Sequence, residues 1–498
     1  MPSRRLLLLP LALFAATVLA AAPKETPEGW YRQGENTLQQ MLADQPNTGA
    51  ARNVILFLGD GMGVTTVTAA RILAGQLKGE TGEENVLEFE RFPNVALIKT
   101  YSTNQQVPDS AGTMSAIMTG VKTLDGVLSV DQNIVRGDCA SAQGHGRETL
   151  LEQFEQAGRA TGIISTARIT HATPAATYAH LPERDWESDT DLSAAATNAG
   201  CLDIARQLIE FKHGDGIDVV FGGGRSEFLP ESTADPEYPG EPGRRRDGRN
   251  LIGEWQQRYT DGQYLWNGKD FANLDPRTVK RVLGLFQPSH MQYAADRERD
   301  PGNEPALADL TATAIRILSR NPKGFFLMVE GGRIDHALHD TNAWRALTDT
   351  SAFSDAVAKA VELTQREDTL IIVTADHSHV LTMAGYPTRG NPILGKVVEN
   401  DGAGRPQSTP TLADDGKPYT TLGFANGPQT VSPRRDLRDV DTSANDFTQD
   451  ALVPLESETH GGEDVAAYAR GPWAHLIRGV QEQNYIYHVM RYAAQLPP

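Results

Sequence analysis

The chain has 498 residues, with 64 acidic against 46 basic side chains, a formal charge of −18. Hydrophobic residues make up 39%, enough for a large core, so global disorder is excluded. The acid excess excludes a nucleic-acid surface, which needs a basic face, and fits an anionic membrane poorly. It leaves a small anionic substrate open, because a bound metal inverts the local field. Lysines number 11, so 46 − 11 leaves 35 arginines; an acidic, lysine-poor surface fits a halophilic habitat or a codon bias equally well.

The chain opens MPSRRLLLLPLALFAATVLAAAPKE. Arg4 and Arg5, the apolar run after them and the small residues Ala20 to Ala22 predict a signal peptide over 1–22, cleaved near Ala20–Ala22. The apolar run is shorter than the roughly 20 residues of a spanning helix. No other segment is long and apolar enough to span a bilayer, and YAAQLPP carries no lipid-anchor tail. A periplasmic or secreted protein without a membrane anchor is expected. Cys139 and Cys201 are the only cysteines, and an even pair in an exported chain most simply forms a disulfide.

Six short apolar runs succeed one another in chain order: Asn53–Leu58, Val95–Ile98, Gly162–Ile164, Ile217–Phe221, Phe325–Val329 and Leu370–Val373. Continuous runs suit strands buried on both faces of a parallel sheet. Helical patterns lie between them, at Arg147–Gln156, Ala308–Leu318 and Asn342–Gln365. The alternation predicts an α/β domain over 23–498, a mostly parallel sheet between helical layers. Two Pro- and Gly-rich stretches, about 225–305 and about 385–455, read as insertions with some local structure.

The chemistry stands at the carboxyl ends of these runs. NVILFLG ends at Asp60, FFLMV at Glu330 and LIIVTA at Asp376 and His377. Ligands bind outside the carboxyl ends of strands in open α/β sheets, so these side chains reach one edge. Asp335 and His339 stand four apart in RIDHALHD, on one face of a helix. Asp376 and His377 are adjacent at a strand end, and His460 lies far off in ETHGGEDVA; Asp and His together suit zinc, whereas all-oxygen sets suit magnesium. His145, His213, His290, His475 and His488 are read as surface or core histidines. Ser110, in PDSAGTMSAIMTG, opens a helical pattern where backbone N–H groups favour an anion; it is either a helix cap or a nucleophile. The G-x-S-x-G elbow is absent around it, so as a nucleophile it would need a metal to lower its pKa.

Taken together, GDGMG, PDSAGT, THATPAATYAHLPERDW, VEGGRIDH, TADHSHV and THGGEDV resemble the alkaline phosphatases, in that family's order and over about residues 50–490. GGGR, DPEYP and HLIRGVQEQ resemble the animal-type branch; the leader, the missing anchor signal and the missing N-x-S/T sequon point to a bacterial exported member. The resemblance implies a three-layer α/β/α fold with a small crown at 385–455 beside a homodimer interface. It implies hydrolysis of small phosphate monoesters through a phosphoserine on Ser110, with Arg184 clamping the phosphate. Asp335, His339 and His460 would hold one zinc. Asp376, His377 and Asp60 would hold a second. Thr173 and Glu330 would hold a magnesium together with Asp60, with His171 in its outer shell. A fourth, calcium site is implied at Glu237, the Phe286 carbonyl, position 287 and Glu304; Gln287 stands where the family has Glu, which lowers the charge of that site. Cys139 and Cys201 match a family disulfide.

Two alternatives stay beside this reading. A related exported metallohydrolase would act on phosphodiesters or sulfate esters, but C-x-P-x-R and S-x-P-x-R are absent around Ser110, and Thr173 with Glu330 favours monoesters. A catalytically inactive metal- or phosphate-binding protein would have no need of Ser110.

Overall fold

The computed structural model describes residues 25–429 and 432–497. The expected signal peptide lies outside the described residues. The chain divides into two compact units, Met1–Gln45 and Pro46–Pro498. In the first, helix α1 (Pro27–Ala43) begins at Thr26, whose hydroxyl accepts from the Gly29 N–H at 3.0 Å.

The second unit is built on a ten-stranded sheet. In chain order its strands are β1 (Asn53–Gly59), β2 (Asn94–Lys99), β3 (Ala160–Arg168), β4 (Val219–Gly223), β5 (Gly262–Leu265), β6 (Arg281–Leu285), β7 (Phe325–Gly331), β8 (Thr369–Thr374), β9 (Val465–Arg470) and β10 (Gly479–Glu482). Their spatial order is β10-β2-β9-β8-β1-β7-β3-β4-β6-β5. All pairings are parallel except those of β9, which runs antiparallel to β2 and β8.

The central strands β1, β7 and β8 are buried at every residue. Helices α2 (Val64–Leu77), α5 (Leu307–Leu318) and α7 (Ala343–Leu363) pack together on one face; α3 (Ser110–Thr119), α4 (Leu150–Gln156) and α8 (Tyr485–Ala493) pack on the other. This is the expected three-layer α/β/α architecture. All six predicted strands occur within a few residues of their apolar runs. The stretch 225–305, expected as an insertion, supplies β5 and β6 to one edge of the main sheet. The stretch 385–455 forms much of a separate three-stranded sheet, Leu381–Met383, Leu422–Gly427 and Ala451–Pro454. Cys139 and Cys201 form a disulfide with their Cα atoms 5.9 Å apart. It closes a loop over a separation of 62 residues, which limits the unfolded chain by roughly 4 kcal/mol on the chain-entropy account.

One buried acid in α4 ties the fold to pH. Glu155 is 1% exposed. One of its oxygens accepts from the Thr161 hydroxyl and the other has no partner. Burial, above all, pushes its pKa up to about 8, although the Thr161 hydroxyl pulls it down. The folded value lies above the unfolded one, so its contribution to stability is lost as pH rises through about 8. Glu155→Gln is therefore expected to raise Tm most near pH ~9 and least near pH ~4, below both values. Equal shifts at both pH values in differential scanning calorimetry would contradict this.

Candidate active site

The adjacent parallel strands β8, β1 and β7 end together. Leu58 pairs with Thr374 on one side and with Glu330 on the other. Asp60, Asp376, His377 and Glu330 therefore meet at one sheet edge, all fully buried. Thr173, after β3, is also fully buried, and its hydroxyl faces Glu330. Both Asp60 oxygens, Asp376 Oδ2, Glu330 Oε1 and Thr173 Oγ1 lack any hydrogen-bond partner. Buried carboxylates cost several kcal/mol each unless paired or metal-bound. Burial first, then Asp376, Asp335 and Glu330, pushes Asp60 well above the carboxylate range. Burial lifts Glu330 to about 7. Such a set of orphaned oxygen ligands fits divalent cations, which would replace the protons.

A second cluster adjoins it. Asp335 and His339 lie on α6 (Arg333–His339), with His339 Nε2 3.4 Å from Asp335 Oδ1. His460 Nε2 lies at 3.4 Å from the same oxygen and 3.1 Å from His339 Nε2. The opposite nitrogens are anchored: His339 Nδ1 donates to the Glu458 carbonyl at 2.6 Å, and His460 Nδ1 to the Pro108 carbonyl at 2.7 Å. That orients both rings with Nε2 towards Asp335, the outer-layer pattern of metal-ligating histidines. Burial opposes the Asp335 charge, but His339, His379 and His460 outweigh it and hold the carboxyl well below its usual range.

Sequence reasoning missed His379 and Glu458. His379 Nε2 meets Asp335 Oδ1 at 2.7 Å and its Nδ1 meets Glu458 Oε2 at 2.5 Å. Burial works against its charge, yet the two carboxylates raise its pKa to about 10. A charged His379 thus holds Asp335 in place. The signal was present in TADHSHV: His377 and His379 alternate, and Ser378–His379 is a short strand paired with His460–Gly461. Glu458 carries no sequence signal beyond standing two residues before His460. Among the described residues, Asp335, His377, His379 and His460 form one group whose ligand atoms lie within 4.8 Å of one another; Asp60, Asp376 and His377 form another.

Ser110 is the first residue of α3 and 2% exposed. Asp109 caps the helix, accepting from the Gly112 N–H at 3.0 Å and the Ala111 N–H at 3.3 Å. The Ser110 hydroxyl lies 3.1 Å from His377 Nε2. Arg184 Nη1 donates to Asp109 at 2.9 Å and its Nη2 reaches His171 Nε2 at 3.3 Å. Serine, guanidinium and both acidic clusters are thereby contiguous. Burial first, then Arg184, keeps His171 well below its ordinary pKa, hence neutral.

Glu237, Gln287 and Glu304 also converge, beside the buried Phe286. The Gln287 amide nitrogen donates to Asp300 and faces Glu237 Oε1 at 3.5 Å. Glu237 Oε2 pairs with the buried Arg225 at 3.0 Å, and Oε1 accepts from the Gly302 N–H at 2.8 Å. An amide pointing at two carboxylates presents its nitrogen. Donors thus face Glu237 and Asp300 and weaken the hold on a calcium ion there, while Glu304 Oε2 is buried without a partner. Calcium is expected to leave Tm unchanged, while a dose-dependent rise lost in Glu237→Gln would contradict this.

The sequence profile described as alkaline phosphatase matches residues 51–496. Alkaline phosphatase of Gadus morhua is 47% identical over 95% of this chain and 99% of its own length. The tissue-nonspecific isozyme of Homo sapiens is 45% identical over 96% and 90% respectively. Among solved structures, alkaline phosphatase of Thermus thermophilus superposes with a TM-score of 0.64 at 23% identity, over 92% of this chain and 94% of that one. That of the Antarctic bacterium TAB5 gives 0.61 at 21%, over 90% and 100%. With serine, arginine and orphaned metal ligands on one sheet edge, and relatives matching across nearly their whole length, the chain belongs to the alkaline phosphatase family.

Proposed function

We propose that this phosphatase hydrolyses small phosphate monoesters through a covalent phosphoserine on Ser110. The observation that carries the reading is the set of buried, partnerless oxygens on Asp60, Asp376, Glu330 and Thr173 beside the Ser110 hydroxyl. Asp335, His339 and His460 would hold one zinc, and Asp60, Asp376 and His377 a second. Asp60, Thr173 and Glu330 would hold magnesium, with His171 outside it. When bound, these ions supply the positive charge and Lewis acidity that phosphoryl transfer demands.

Ser110 sits at the N-terminus of α3, where the helix dipole favours an anionic Oγ. That oxygen forms a bond to phosphorus while the bond to the departing alcohol oxygen breaks. Water then attacks the same phosphorus, releasing inorganic phosphate and restoring Ser110. Arg184 offers two N–H groups to the phosphoryl oxygens, and Asp109 and His171 hold its guanidinium in place. Uncatalysed phosphate monoester hydrolysis is slow enough that enzymes accelerate it by up to about 10²¹-fold.

A chromogenic phosphate monoester should be turned over faster than the matching diester. Chelation should abolish turnover, and zinc with magnesium should restore it. No activity with both metals restored would sink the reading, and faster diester turnover would favour the diesterase alternative. We also take the protein to be an exported homodimer of the periplasm or medium, on the strength of the leader sequence, the disulfide and the family's crown. A monomer mass in light scattering, or an intact leader on the mature protein, would count against this. Among the described residues no helix is long and apolar enough to cross a membrane. The acidic surface fits salty surroundings; stability falling steadily with added salt would contradict that use.

A further inference from the structure

Beside the serine centre, the same sheet edge carries a second cluster. Arg168 ends β3 and His171 stands just beyond it; His290 comes after β6; Arg333 and His336 come after β7 on α6. The three imidazoles approach one another, with ring centres 5.4 Å (His171–His290), 5.5 Å (His171–His336) and 4.1 Å (His290–His336) apart. Three histidines at such spacing suggest a metal site at first sight. Their hydrogen bonds argue otherwise.

His171 Nε2 faces Arg184 Nη2 at 3.3 Å, and His336 Nδ1 faces Arg333 Nη1 at 2.9 Å. His290 Nδ1 faces the Arg168 backbone N–H at 3.1 Å, and its Nε2 faces Arg168 Nη1 at 2.5 Å. A guanidinium has no acceptor, so His171 and His336 each spend a lone pair on an arginine donor and keep an N–H on the other nitrogen, whereas both nitrogens of His290 face donors of Arg168. His171 Nδ1 is buried with no partner. His171 and His336 thus present donors. A cation would find no free lone pair here and three guanidinium groups around it.

The cluster also holds cationic charge. Arg168 is neutralised by Glu187, with bonds at 2.8 and 2.6 Å. Arg333 makes no ion pair with a carboxylate among the described residues: its contacts are His336 and the Tyr293 ring, over which its guanidinium carbon stands at 3.7 Å. Its Nε is buried without a partner. A stacked, oriented guanidinium beside donor-rich rings is an arrangement that recognises carboxylate or phosphate.

We propose that Arg333 and His336 form an anion subsite next to the phosphate clamp of Arg184. It selects phosphate monoesters whose alcohol carries a second anionic group, a phosphate or a carboxylate. This rests on Ser110 and Arg184 receiving the first phosphoryl group.

Calorimetry on the zinc- and magnesium-loaded protein tests it with ligands that cannot be hydrolysed. Propylphosphonate is compared with its diphosphonate counterpart, which carries a second phosphonate at the far end of the chain, and with the matching phosphonocarboxylate. The doubly anionic ligands should bind at least about tenfold more tightly than propylphosphonate. Arg333→Leu should remove that preference and leave propylphosphonate affinity within about twofold, and Arg333→Lys should restore part of it. Metal content and Tm are read on each variant. Equal affinities in the wild type, or a preference that survives Arg333→Leu, would overturn the subsite. So would a parallel loss of all ligands with metal, which would make Arg333 a support of the metal centre. Failure of propylphosphonate to bind while the diphosphonate binds would speak against the Ser110 reading and not against the subsite.

Discussion

Ser110→Ala is expected to lower kcat for a chromogenic phosphate monoester by about 10⁴-fold or more while zinc, magnesium and Tm stay near wild type. The hydroxyl is nearly inaccessible, and among the described residues its side-chain neighbour within hydrogen-bond distance is His377 Nε2 at 3.1 Å. Ser110 is not the cap of α3, a role held by Asp109, so removing the oxygen leaves the helix terminus satisfied. A structural serine would give the opposite result, with Tm falling and the activity of the surviving folded fraction unchanged. Residual turnover in Ser110→Ala would come from direct attack by water. Steady-state kinetics with metal analysis on the same samples checks the outcome.

Asp60→Asn should cost at least about 10³-fold in kcat/KM, beyond the 10–100-fold typical of outer partners of a metal. The ion proposed at Asp376 and His377 should be lost together with the one proposed at Glu330 and Thr173, because Asp60 belongs to both proposed sets. Stability should move in opposite directions with and without metal. In the metal-free wild type, Asp60 is a buried acid whose pKa is raised by burial and by Asp376, Asp335 and Glu330. Its folded value exceeds the unfolded one, so it favours the fold while protonated and disfavours it at alkaline pH. Asn removes that charge. Near pH ~8 the metal-free variant should therefore melt above the metal-free wild type, while the metal-loaded variant melts below its counterpart. A variant less stable in both states would make Asp60 a structural hydrogen-bonding group.

Much of this arrangement was legible in the chain. Strands β1, β7 and β8 are buried on both faces and so appear as apolar runs, and the acids at or just beyond their ends mark the reactive edge. The four other strands were not legible for a physical reason. Gly262–Leu265 and Gly479–Glu482 are short and lie at the sheet's edges, where one side chain in four or none is buried. Arg281–Leu285 is a mere five residues within a polar stretch. Val465–Arg470 alternates buried and half-buried residues and runs against its neighbours.

At the site, residue type and position at strand ends pointed to Asp60, Glu330, Asp376 and His377. The pairing of Asp335 with His339 came from helical spacing. The distribution of all of them among particular ions rests on family resemblance. His379 escaped because its role depends on two carboxylates remote in sequence, Asp335 and Glu458. His290, read as an ordinary histidine, lies with its ring 4.1 Å from that of His336, a neighbourhood created by the order β7-β3-β4-β6 and invisible in local pattern. The exchange of carboxylate for amide at Gln287 was visible, but its consequence was not: the new nitrogen and Arg225 supply donors to acids that would otherwise need a cation.

The central claim is that the phosphoryl group passes through Ser110. Mass spectrometry of enzyme quenched in acid during turnover addresses it directly. One phosphoryl group is expected on the peptide containing Ser110, absent before substrate is added and absent in Ser110→Ala. Rapid turnover with no phosphoryl group on that peptide at any quench time, or with the group on a histidine such as His377, would contradict it.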